Sequence, residues 1–180
     1  MDFAIRESKY CCDGPMAVIR LGSCCSISDV KASEIVINDE GSFGVYSNFD
    51  TIRAGKGGEY YLITDTIQPD ADLTKSLIEN INKGLSNIWK VHTGLNGSTD
   101  AYYHSQGKVD HKFNDHNEDL IDSIKTKYPH VKTLEMESYY LFGAAKQSVD
   151  KNVYAAAAFI VDTNVIQKDY QINKAKYGEI

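Results

Sequence analysis

Residues 153–161 read VYAAAAFIV, nine residues without a charge. The run is apolar throughout rather than alternating, and this predicts a strand buried on both faces. It falls far short of the roughly 20 apolar residues that span a bilayer, and no other stretch of the chain comes closer. A strand buried on both faces needs a sheet with helices on either side. Outward from it, residues 137–147 have the character of a mostly apolar helix. Residues 131–134 make a brief extended segment. Residues 16–21 (MAVIRL), 34–38 (EIVIN) and 89–94 (WKVHTG) read as further strands of the same sheet. Helices are expected at residues 2–10, 70–85 and 117–127. The second carries Leu73, Leu77, Ile78, Ile81 and Leu85 on one face, with Asp70 or Asp72 as cap. The third carries Leu120, Ile121 and Ile124. Asp13-Gly14-Pro15 marks a turn. Residues 39–58, with a flexible KGG at 56–58, and residues 96–108 read as long loops. Strands alternating with helices give an α/β fold in one domain over residues 1–180.

The 180 residues carry 42% hydrophobic and 24% charged side chains, an ordinary globular composition. Nineteen basic against 25 acidic residues leave a net charge of −6, and the arginines are Arg6, Arg20 and Arg53 alone. That balance argues against a nucleic-acid polymer or an anionic membrane as partner. The opening MDFAIRESKY is charged where a signal peptide needs an apolar core, so the expected location is the cytosol. The cysteines come as adjacent pairs, Cys11-Cys12 and Cys24-Cys25, which fits neither a disulfide scaffold nor a zinc site, and no metal is expected.

Four segments carry candidate chemistry, at strand ends or helix starts, where ligands of α/β sheets collect. In Arg20-Leu21-Gly22-Ser23, the arginine offers a bidentate contact to phosphate or carboxylate, Ser23 offers a hydroxyl, and Gly22 lets a ligand approach the backbone. The plainer alternative is an arginine paired with one of many acids. In residues 98–108 (STDAYYHSQGK), Gln106 supplies the donor and acceptor that a base edge requires, Tyr102 a ring for stacking, and Lys108 a donor to a carbonyl oxygen. The alternative is a solvated loop. In Glu135-Met136-Glu137-Ser138, a carboxylate can accept from two vicinal hydroxyls and Met136 can lie on a sugar face. Acids at a helix start also complement the helix dipole. Asp162, after the buried run, serves as an acid or polar anchor, or as a turn residue.

Taken in order, GPMAVIRLGSCCSI, STDAYYHSQGK and TLEMESYYLFGAA resemble the nucleoside phosphorylase family, most closely its uridine phosphorylase branch, over about residues 2–162. The resemblance implies a three-layer sandwich with a mixed central sheet between helices, here incomplete. It implies phosphorolysis of a pyrimidine nucleoside to free base and ribose 1-phosphate, with inorganic phosphate as co-substrate and no organic cofactor. It implies a homo-oligomer, either a dimer or a hexamer built as a trimer of dimers. Arg20 and Ser23 take the phosphate positions, Met136 and Glu137 the ribose positions, and Tyr102, Gln106 and Lys108 the base positions. Arg20 and Glu137 are the catalytic pair.

There are departures from the family pattern. The family's glycine-rich phosphate loop and a further arginine precede the point where this chain starts. Cys25 stands where glycine is usual, Lys108 replaces an arginine, Thr163 lies about where another arginine is found, and a closing helix is expected to be absent or shortened. Two further readings stay open. One is a truncated relative that binds nucleoside weakly or serves in assembly. The other is a purine nucleoside enzyme with Asp162 as the acid at the purine ring.

Overall fold

A computed structural model describes residues 1–54 and 58–166. Lys56 and Gly57 of the expected KGG stretch, and the region of the expected closing helix beyond residue 166, lie outside the described residues. Among the described residues the strands are β1 (Met16–Ser26), β2 (Ile35–Ile37), β3 (Ser42–Ser47), β4 (Tyr61–Ile63), β5 (Val91–Thr93), β6 (Leu95–Thr99), β7 (Val131–Glu135) and β8 (Val153–Asn164). The helices are α1 (Asp2–Tyr10), α2 (Phe49–Ala54), α3 (Ala71–Leu85), α4 (Leu120–Lys127) and α5 (Ser138–Gln147). A 3-10 turn covers His104–Gln106.

All eight strands join one mixed sheet in the order β4-β3-β6-β7-β1-β8-β2-β5. The four strands expected to share a sheet form its contiguous half, β1-β8-β2-β5. The run that decided the fold is β8, which pairs parallel with β1 along its whole length and antiparallel with β2. Its alanines allow close layers on both faces. Ala155 and Ala157 pack in a cluster with Leu141 and Phe142 of α5. Ala158 packs with Ile35, Ile37 and the Leu77, Ile78 and Ile81 stripe of α3. Ile5 of α1 joins the first cluster, while Leu120 and Ile124 of α4 cover Val131 and Leu134 of β7. Helices therefore cover both faces of a mixed sheet. Asp70 is the cap of α3, accepting from the Leu73 N–H at 2.9 Å. No helix of the described residues is long and apolar enough to cross a membrane.

Two loop expectations are corrected. Residues 39–58 hold β3 and α2, and residues 96–108 hold most of β6 and the 3-10 turn. β4 carried no sequence expectation at all. β1 and β8 also run on past residues 21 and 161, to Ser26 and Asn164. The physical reason lies in polar side chains that satisfy one another across the strands. Asn96 donates to Ser42 Oγ at 3.1 Å and to Glu135 Oε1 at 2.8 Å, and Thr133 donates to Asn96 Oδ1 at 3.0 Å. The Ser42 and Ser98 hydroxyls lie 3.1 Å apart. All five residues are buried. A hydropathy pattern treats such residues as loop, whereas a buried polar group with its partners in place is compatible with a sheet interior.

Candidate active site

Arg20, Ser23, Tyr102, Gln106, Met136, Glu137 and Asp162 line one cleft of about 120 Å³, together with Cys24, Cys25, Leu134 and Glu135. The expected site residues are thus brought together from four separate parts of the chain. Lys108 stands beside them. With Tyr102 it also lines a neighbouring hollow of about 530 Å³ that includes Tyr103, Val109 and Thr163.

The Arg20 side chain turns back over the strand, with Cζ 5.1 Å from the centre of the Phe159 ring. Gly22 serves this turn, because a Cβ there would stand 2.9 Å from Arg20 Nη1. The Arg20 guanidinium thus lies close over the Gly22 backbone. Arg20 Nε lies 3.3 Å from Glu135, and Nη2 bonds Glu137. Nη1 is buried and has no acceptor among the described residues.

The two glutamates divide the two readings of the EMES segment between them. Glu135 ends β7 and accepts the backbone N–H groups of Glu137 at 2.9 Å and Ser138 at 3.1 Å, so it complements the start of α5. It also accepts from Asn96 and Ser98. Glu137 occupies the cap position of α5 but makes no capping bond. Its side chain is 40% exposed, against 1% for Glu135, and Arg20 is its side-chain partner. Sequence reasoning missed Glu135 as a site residue because a buried carboxylate at a strand end looks like a helix cap. Its place two residues before Glu137, in register with Ser98 on the next strand, was the available signal.

Gln106 is held from both ends. Its Oε1 accepts from Lys108 Nζ at 2.9 Å and from Cys25 Sγ at 3.4 Å, and its Nε2 donates to Thr99 Oγ1 at 3.2 Å. Gly107 makes the turn possible: its φ is +65°, and a Cβ there would stand 2.6 Å from Ile121. Asn117 fastens the turn by donating to the carbonyls of His104 at 3.0 Å and Lys108 at 3.3 Å. The chain thereby brings Lys108 Nζ to 3.1 Å from the centre of the Tyr102 ring. Asp162 accepts from Thr163 Oγ1 at 3.1 Å.

The electrostatics follow from burial. It pushes the Cys25 thiol up to about 12, against the pull of Lys108, and raises Cys24 as well. Both thiols stay protonated at neutral pH. Burial lowers Lys108, opposed by Cys25 and Asp162, and raises Tyr102, helped by Asp162. No group of three or more His, Cys, Asp or Glu side chains among the described residues could hold a metal ion. Chemically, the cleft has a cation with an unused donor at one end. A half-exposed carboxylate suited to a diol lies beside it, and a carboxamide–ammonium pair beside an aromatic ring lies at the other end.

A mixed eight-stranded sheet of this order, covered by helices and carrying this cleft, defines a layered α/β protein. The model of the phosphorylase superfamily matches residues 2–174, and the chain belongs to that superfamily. It is similar to a uridine phosphorylase of the oomycete Phytophthora capsici, with 30% identity and a TM-score of 0.90 over 98% of this chain and 64% of that one. It shares its fold with uridine phosphorylase from Schistosoma mansoni in complex with thymine, at 16% identity and a TM-score of 0.68, over 98% of this chain and 61% of that one. The chain thus spans less than two thirds of the length of these relatives. No curated protein matches it in sequence.

Proposed function

We propose that the cleft serves phosphorolysis of a pyrimidine nucleoside of the uridine type, giving free base and ribose 1-phosphate. The observation that carries this reading is the meeting of Arg20, Glu137 and Gln106 in one cleft. Arg20 and Ser23 bind phosphate, Glu137 and Met136 hold the ribose, and Tyr102, Gln106 and Lys108 take the base. Glu137 fixes the sugar by accepting from its vicinal hydroxyls. Gln106 and Lys108 place donors where negative charge gathers on the departing base, which lowers the barrier to breaking the glycosidic bond. Phosphate attacks the anomeric carbon from the face opposite the base. No organic cofactor enters this scheme.

The phosphate end is the weaker part. Arg20 is the one cation there among the described residues, and two carboxylates already hold it. Slow turnover is therefore expected of the 180-residue chain. The test is release of uracil from uridine with and without inorganic phosphate. A rate that rises with phosphate supports the proposal, and an equal rate without phosphate makes the reaction a hydrolysis. The carboxylate of Asp162 in the same cleft favours a second reading, a purine nucleoside protonated on its ring. Inosine as the better substrate would support that reading.

A further inference from the structure

Arg20 meets two carboxylates that differ sharply in their surroundings. Glu135 is buried and takes donors from Asn96, Ser98 and two backbone N–H groups besides Arg20, so moving it would strand all of them. Glu137 is 40% exposed and has no side-chain partner among the described residues except Arg20 Nη2. One carboxylate anchors the arginine; the other can leave. An oxyanion that bridges Nη1 and Nη2 of Arg20 must displace Glu137, because Nη2 is bonded to it and Nη1, without an acceptor among the described residues, is the adjacent donor. A vicinal diol needs that same carboxylate as its acceptor. Each ligand therefore frees the group the other requires.

We propose that Glu137 is a gate on Arg20. The ribosyl diol draws Glu137 off the guanidinium, so nucleoside and oxyanion bind with positive coupling, and by linkage each raises the affinity for the other by the same factor. The proposal rests on the nucleoside reading for its diol arm, but the contact between Glu137 and Arg20 can be tested without a nucleoside.

The experiment is calorimetric titration of the chain with sulfate, an oxyanion that cannot turn over. It is run alone, with saturating uridine, and with 2′,3′-dideoxyuridine, which lacks the diol. The Glu137→Gln variant is titrated with sulfate alone. Uridine should tighten sulfate binding about tenfold, within the usual range of coupling between sites, and dideoxyuridine should leave it unchanged. Glu137→Gln should bind sulfate about tenfold more tightly than the native chain. If Glu137→Gln binds sulfate no better than the native chain, the gate is overturned. Equal tightening by uridine and dideoxyuridine also overturns it, since the diol then plays no part. If uridine fails to bind while Glu137→Gln still gains affinity for sulfate, the gate stands and the nucleoside reading falls.

Discussion

Cys25 and Lys108 share one acceptor, the side-chain oxygen Oε1 of Gln106, and burial acts on them in opposite senses. A thiol pushed up to about 12 presents almost no thiolate at pH 8. Cys11 is exposed, whereas Cys24 and Cys25 are buried. Brief alkylation of the native chain followed by peptide mass spectrometry should label Cys11 and spare Cys24 and Cys25 until the chain is unfolded. Lys108 has the reverse problem, since burial favours its neutral form. It loses its proton at a lower pH than the ordinary lysine value of 10.5. Its protonated form is the one that donates to a base carbonyl, so uridine affinity should fall as pH rises through that lowered value. Lys108→Met should bind more weakly and lose this alkaline dependence. A calorimetric pH series on both proteins checks it. An affinity that is flat with pH in the native chain would remove Lys108 from the base site.

β6 is the element that supports the glutamate end of the cleft from the interior of the sheet. It lies between β3 and β7, and its Ser98 touches Glu135 directly. Gly97 sets the spacing, because a Cβ there would stand 2.7 Å from Leu134 and from the Phe43 ring, both buried. Gly97→Ala should therefore destabilise the fold by about 1–3 kcal/mol, the usual cost of overpacking, as read from urea unfolding midpoints. This region also marks the limit of what the sequence made legible. β2 and the run 153–161 of β8 were visible because their buried residues are apolar, and β1 and β5 because short, largely apolar runs (16–21 and 89–94) contain them. β3 and β6 were not, because Ser42, Asn96, Ser98, Thr133 and Glu135 bond to one another inside the sheet, and composition alone cannot reveal mutual partners. The site divided in the same way. Arg20, Gln106 and Glu137 were readable as an ordered set of motifs. The service of Gly22 to Arg20, the hub at Glu135 and the Cys25 contact depend on distances across the fold.

Across the whole molecule, β1 leaves one apolar face uncovered. It is an interior strand, yet Ile19 is 44% exposed and Leu21 71% exposed on one face, while α3 covers the β8-β2-β5 side and α4 covers β7. Among the described residues β7 pairs with β1 only at Cys25 and Ser26, which leaves the first part of that edge of β1 unpaired. Uncovered apolar residues on a strand with a free edge promote association. Leu21→Lys should lower the sedimentation-average mass of the purified chain at high concentration, and an unchanged mass would mean this face is not sticky. In the proposed function the cleft joining β1, the 3-10 turn and the start of α5 reads a uracil edge through Gln106. Competition binding of uridine against inosine, on the native chain and on Gln106→Ala, tests it most directly. Uridine should bind more tightly, and Gln106→Ala should erase the preference at a cost of about 1–3 kcal/mol. Tighter binding of inosine, lost in Asp162→Asn and indifferent to Gln106→Ala, would contradict it.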